Sequence, residues 1–288
     1  HAVRLQHIAP HKHRCPVDGE IFKDPRYDDA WAWFLHGQLI IMSVKLGICY
    51  HLTGDQRFGN GAKKILLAYA RNYHKYPLHM GRTQCDVPTR TRGASLNEAP
   101  MMCSGAAAFD LIKDLLNKEE KEQIKNDFLL AGAWDISTSG RGRGNWLAHI
   151  NAALLAVGLV TNYEPLAELA LFGEYGFLQE LQECVLEDGM WHQGAVGYHV
   201  FVVAAFNEMA QMLQVRGVKA FEMPKFKAMF DVMFDLAFED GTLPKIGTGG
   251  GGTLIGCAGV FEQIAAVTRD PRYLDLLSQS DRIEYAHS

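Results

Sequence analysis

The chain has 288 residues, of which 48% are hydrophobic and 21% charged, so it carries enough apolar material for one large core or two smaller ones and is not a disordered tail. Its formal net charge of -5 excludes a protein that binds a polyanion by neutralising it over a whole surface, so no nucleic-acid partner is expected; a local basic cleft remains compatible with that charge. The longest apolar runs, such as Leu39–Met42 and Ala152–Val157, stop well short of the roughly 20 residues of a bilayer span, so no membrane-crossing helix is expected.

Taken in chain order, the pattern is helix after helix, separated by short Gly, Pro and Asp punctuation, with little strand-type alternation. A polar arm, residues 1–27, comes first. Asp28 is a candidate cap for a long helix with Trp31, Phe34, Leu35, Leu39 and Met42 on its apolar positions, stopped by Gly54. A second begins near Asp55 and carries Ile65, Leu66, Tyr69 and Tyr73 before Pro77. A third covers Leu96–Leu116, and Asn117 then caps a helix with a Lys/Glu-rich outer face and Ile124, Phe128 and Leu129 inside. Further helical patterns cover Trp146–Leu159, Pro165–Leu171, Gly176–Leu186, His199–Val215, Pro224–Phe238, Gly256–Thr268 and Pro271–Leu277.

Helices this numerous, joined by short loops, form antiparallel hairpins. No repeated signature marks an open solenoid, so a closed arrangement in one domain over residues 1–288 is expected, all-α and toroidal. Two loops are long and polar for this setting: Gly81–Ala94, with Arg82, Arg90 and Arg92, and Ser137–Gly144, with Arg141 and Arg143. Binding residues concentrate on such loops.

Six cysteines (Cys15, Cys49, Cys85, Cys103, Cys184, Cys257) are scattered without a CxxC pair and read as isolated core thiols. His7, His11 and His13 lie in the polar arm without an acidic or Cys partner nearby in sequence, so no metal and no cofactor are expected.

Two stretches concentrate groups able to do chemistry. In Arg141-Gly-Arg143-Gly-Asn145-Trp146-Leu-Ala-His149-Ile-Asn151, Asn145 and His149 are four apart and share a helix face if Asn145 is already helical. The alternative is an N-cap asparagine and a core histidine. In Asp188-Gly189-Met-Trp191-His192-Gln193-Gly194-Ala-Val-Gly197-Tyr198-His199, three glycines carry an aromatic and polar cluster to the start of an apolar helix. Tyr198 can give or take a proton there, or simply pack and hydrogen-bond.

The order and spacing of four motifs resemble the heparinase II/III-like and alginate-lyase superfamily of polysaccharide lyases. They are His13-Arg-Cys15-Pro16-Val-Asp18-Gly19; Ser95-Leu96-Asn97-Glu98-Ala99 followed by Ala108-Phe109-Asp110-Leu111-Ile112; Gly144-Asn145-Trp146 through Asn151; and Asp188-Gly189 through Gly197-Tyr198-His199. The chain departs from that pattern at Gln193, where relatives carry Glu, at Trp146, where several carry His, and at Gly247-Thr248-Gly249, where an Asp is usual.

The resemblance implies an incomplete (α/α) toroid, a C-terminal β-sandwich domain that this chain does not contain, a periplasmic or secreted location, and an acidic polysaccharide or oligosaccharide of alginate or glycosaminoglycan type as substrate. It also implies β-elimination: Asn145 binds the uronate carboxylate, Tyr198 acts as acid and, for one C5 configuration, as base, and His149 or His199 serves as base or neutralising donor. Arg143 fits a carboxylate or sulfate clamp, because its planar fork matches oxyanions. Asn97, Glu98, Arg92, His192 and Gln193 are expected to line the substrate path, and Trp146 and Trp191 to offer aromatic faces to sugar rings. Two rivals stand beside this reading. A toroidal glycoside hydrolase needs a carboxylate pair, for which Asp188 and Glu98 are the loop candidates; a lyase-like domain that binds glycan without turnover needs none.

Overall fold

The computed structural model describes residues 10–79, 87–139, 142–247 and 251–280. His7, Arg82, Cys85, Arg141 and Thr248 lie outside the described residues. Two short strands, β1 (His13–Arg14) and β2 (Ile21–Phe22), pair antiparallel with His13 opposite Phe22; the other regular elements among the described residues are helical. The chain divides into two compact units, residues 1–140 with 157–163 and residues 141–156 with 164–288.

In the first unit, α1 (Pro25–Thr53) starts where Asp24 accepts a hydrogen bond from the Arg26 amide at 2.9 Å and Pro25 occupies the first turn, where its missing N–H is not needed. Gly54 stops it in the left-handed conformation at φ 69. The start signal is therefore Asp24-Pro25, not Asp28. Asp28 sits a turn inside, accepting from the His11 amide and, at 2.7 Å, from His13 Nε2. This corrects the expectation that the arm histidines lack an acidic partner: the arm folds back onto the helix start. A second correction concerns length, since α1 is long and apolar enough to cross a membrane by composition, although its uninterrupted apolar runs are short. Only 17% of that window is buried.

Helix α1 lies along α2 (Gln56–Asn72) and α3 (Ser95–Ile112). As predicted, α2 begins beside Asp55, which caps it, and it buries the expected Leu66 and Tyr69 together with Ala62 and Ala70 at three- and four-residue steps along one face. Asn117 and Glu120 form a reciprocal capping box on α4 (Lys118–Ile124), and the helix continues through a wider π-type stretch, Lys125–Leu130, into α5 (Ala131–Ser137). A Cβ at Gly105 would come within 2.9 Å of the Phe128 ring, so the absence of a side chain there lets α3 and the π stretch approach closely.

The second unit takes the Asn145–Ala156 part of α6 (Asn145–Thr161), then α7 (Glu164–Phe172), α8 (Phe177–Glu183), α9 (Val196–Gln214), α10 (Pro224–Leu236), α11 (Glu262–Thr268) and α12 (Pro271–Gln279). Helix α8 ends before Leu186 because the chain turns into a hairpin there: His192 N donates to Cys184 O and Leu186 N to Met190 O, both at 2.8 Å. Gly189, at φ 91, forms its tip, and a Cβ there would collide with the Ala228 carbonyl of α10. Phe177, Phe206, Phe226, Phe230, Phe261 and Tyr273 are fully buried, with Phe177 edge-on to Phe206 at 5.0 Å. Burying each such ring contributes about 1.5–3 kcal/mol, enough to fix α10 against α9 through Phe206 and Phe226 and against α12 through Phe230 and Tyr273.

Candidate active site

In the second unit Asn145 is the first residue of α6, not a cap outside it, so it shares a helix face with His149 one turn on. Asn145 is 7% exposed, and among the described residues its carboxamide has no hydrogen-bond partner. The His149 ring lies 3.8 Å from the Phe201 ring of α9, and its Nε2 is 3.0 Å from the Phe201 carbonyl oxygen. A carbonyl only accepts, so Nε2 carries the proton and Nδ1 keeps a lone pair. Burial pulls the His149 pKa down to about 4, only partly offset by that hydrogen bond, so the ring is neutral at neutral pH.

Tyr198 is three residues before Phe201 in the first turn of α9 and thus on the same side of that helix. It is 36% exposed, and its hydroxyl has no partner among the described residues. The contact between His149 and Phe201 joins α6 to α9 three residues after Tyr198.

His199 is placed differently. It is fully buried; its Nδ1 accepts from the Trp191 amide at 3.0 Å, and its Nε2 donates to the Met229 carbonyl at 2.8 Å. Both nitrogens are occupied, which leaves neither for a substrate, and burial holds its pKa down. Trp191 is also fully buried, so its ring cannot stack on a sugar; its indole Nε1 donates to Gln193 Oε1 at 2.9 Å. His192 is half-buried, with burial and the nearby Arg143 charge lowering its pKa, and Gln193 is exposed. Arg143 is exposed and pairs with Glu183 at 3.3 Å, and Trp146 is half-buried on α6. Asn151 turns inward, donating to Tyr175 O at 2.8 Å and Glu180 Oε2 at 3.1 Å.

The remaining candidates lie in the first unit. Glu98 is fully buried and accepts from Tyr73 Oη at 3.0 Å, Thr91 Oγ1 at 2.7 Å, Thr91 N at 3.2 Å and Arg92 N at 2.9 Å. Burial raises its pKa against the pull of those donors. It holds the 91–92 loop onto α3 and does not line an open path. The Arg92 guanidinium lies 3.6 Å from the Trp33 ring centroid, while Trp33 Nε1 donates back to Arg92 O at 3.0 Å. Asn97 is exposed on the first turn of α3.

Sequence reasoning missed the Phe201 carbonyl that fixes the His149 tautomer, and the partners Tyr73 and Asp135 around Glu98 and Arg90. Backbone carbonyls leave no sequence signal, and Tyr73 shows only as an apolar helix position. Among the described residues no group of three His, Cys, Asp or Glu is placed to hold a metal ion.

No protein-family profile matches the chain. It is 31% identical over 160 residues to an exo-oligoalginate lyase of Saccharophagus degradans, covering 51% of this chain and 21% of that protein. An alginate lyase of Stenotrophomonas maltophilia is 26% identical over 177 residues, covering 58% and 24%. Among solved structures, an alginate lyase A1-III complexed with tetrasaccharide matches with TM-score 0.57 and 14% identity over 79% of this chain and 65% of that one. A heparinase III matches with TM-score 0.57 and 16% identity over 88% and 42%.

The chain is thus similar in sequence, over about half its length, to two alginate lyases, and in fold to an alginate lyase and a heparinase III. Its fold is accordingly of the all-α toroid class. That fold does not by itself specify chemistry: a sugar epimerase from a ruminal bacterium matches with TM-score 0.55 and 12% identity over 86% of this chain and 73% of that one. The chain spans about a fifth to a quarter of the length of the curated relatives it matches, 21% and 24%.

Proposed function

We propose that the chain is part of a polysaccharide lyase that cleaves a uronic-acid-containing glycan, of alginate or glycosaminoglycan type, by β-elimination. The observation that carries the reading is the meeting of α6 and α9 at His149 and Phe201, with Asn145, a carboxamide without a partner among the described residues, one turn from His149 on α6 and the exposed Tyr198 three residues before Phe201 on α9.

β-Elimination removes the C5 proton beside a carboxylate and expels the glycosidic oxygen at C4. The carboxamide N–H of Asn145 donates to the uronate carboxylate and stabilises the enolate-like charge that grows on it. His149 offers its Nδ1 lone pair to the C5 proton. Its low pKa makes it a weak base in the free protein, but an anionic carboxylate beside it favours the imidazolium and raises its basicity in the complex. Tyr198 gives its hydroxyl proton to the departing O4 and, for one C5 configuration, also serves as the base. Arg143, already paired with Glu183, supplies a fork for a carboxylate or sulfate further along the chain. His199 acts through Trp191, as an anchor of the loop.

The carboxylate pair of a hydrolase has less support. Glu98 is enclosed by four donors, and Asp188 Oδ1 accepts from the Met190 amide at 2.9 Å at the hairpin tip. A polymeric substrate of this kind places the protein in the periplasm or outside the cell. A panel of uronate polysaccharides, followed for the ultraviolet absorption of the unsaturated uronate, tests the reading. Reducing ends without that chromophore would establish hydrolysis, and binding without either product would establish a glycan-binding domain.

A further inference from the structure

Residues 190–195 are fastened from several sides. Trp191 donates its amide to His199 at 3.0 Å, accepts from Gly194 N at 2.9 Å through its carbonyl, and buries its ring completely. His199 is in turn tied to the Met229 carbonyl at 2.8 Å. What this loop presents outward is Gln193. An indole N–H is only a donor, so the atom of Gln193 that faces it at 2.9 Å is the side-chain oxygen. That settles the two ends of an amide that would otherwise be free to flip: Oε1 is held by the buried tryptophan and the Nε2 amide group is left as a donor on an exposed side chain. Three residues further on, at Val196, α9 begins, with Tyr198 in its first turn. Arg143, paired with Glu183 at 3.3 Å, adds its positive charge to the surroundings of His192 in the same loop.

We infer that Gln193 is a specificity-determining residue, a donor of fixed polarity that reads a carboxylate or other acceptor on a sugar beside the one being cleaved, with Trp191 as the residue that sets its orientation. This rests on the lyase reading for the identity of the ligand, an acidic glycan. A donor held in advance loses little freedom on binding and discriminates against substrates lacking the acceptor. A carboxylate at this position would keep the indole bond and lose both donor hydrogens, replacing them with a charge that repels an acidic glycan.

The test compares Gln193→Met, which removes donor and acceptor at similar length, with Gln193→Glu, which keeps the acceptor alone. Kinetics are measured on oligoalginate with the full chain, and affinity by calorimetry with the same substitutions placed in a Tyr198→Phe chain that does not consume the sugar. The expected result is a KM and Kd raised about tenfold in Gln193→Met, more in Gln193→Glu, with kcat changed less than about twofold. Trp191→Phe, which removes only the indole N–H and a ring's worth of packing, raises KM in the same direction, and less than additively with Gln193→Met. If Gln193 merely satisfies the indole, Gln193→Met lowers the melting temperature, Gln193→Glu restores it, and KM stays at the wild-type value in both; that pattern overturns the inference and leaves the lyase reading intact. If the wild-type chain makes no unsaturated product, the lyase reading fails, and calorimetry still decides: equal oligoalginate affinity in wild type and Gln193→Met, or none in either, overturns the inference.

Discussion

His149 shows how much a single contact can decide. One backbone carbonyl fixes its tautomer, and burial keeps it uncharged, which gives a definite dependence on acid. Its folded-state pKa of about 4 lies below the roughly 6.5 of an exposed histidine, so between those values the unfolded chain binds more protons than the folded one. Stability is therefore complete above about pH 6.5 and falls as pH drops toward 4, by up to about 3 kcal/mol from this residue. His36, with a pKa also lowered to about 4 by burial and by Arg92 and His79, adds a slope of the same sign. Urea titrations at pH 7 and pH 4.5 are expected to show the loss, and a His149→Gln variant to show less of it; an identical pH dependence in the variant would mean that the ring is not held neutral by the fold. Tyr198 carries the other residue-scale expectation. Tyr198→Phe keeps the ring and removes its transferable proton, so turnover should fall by at least about 10²-fold while substrate affinity changes little. A variant that retains most of its elimination rate would remove Tyr198 from the mechanism.

At the scale of elements, the start of α3 and the loop before it depend on one buried carboxylate. Glu98→Ala leaves Tyr73 Oη, Thr91 Oγ1 and two backbone amides without their acceptor, and is expected to cost about 3–5 kcal/mol in denaturant unfolding. A loss below about 1 kcal/mol would show that the loop finds other partners. The sequence pattern located Glu98 but misread its direction, because a helix-start acid looks the same whether it points to solvent or back into a loop. The same limit applies to His199 and Trp191. Their loop was legible from its glycines and aromatics, yet which side chains face inward depends on α10, a segment distant in sequence that supplies the Met229 carbonyl. By contrast, the helix start near Asp55, the cap at Asn117 and the stop at Gly54 were legible because their partners lie within four residues. The end of α8 was not, since the hairpin that interrupts it is held by cross-bridging backbone bonds that any sequence can form.

For the whole molecule, the all-α class was legible because helical periodicity repeats through the chain, and the toroid class was expected from the run of helical hairpins without a solenoid repeat and again from the resemblance of four motifs in order. The 29-residue length of α1 escaped a reading based on uninterrupted apolar runs, since interspersed polar residues broke each run without making the helix polar. The central claim is one of chemistry, that a neutral histidine, an asparagine and a tyrosine together eliminate across a uronate instead of hydrolysing beside it. Its most direct measurement is the ultraviolet spectrum of a uronate oligosaccharide incubated with the chain, with Tyr198→Phe in parallel. The account predicts that the absorption of an unsaturated uronate grows with time in the wild type and at least about 10²-fold more slowly in the variant. Cleavage that produces reducing ends with no such absorption would contradict it.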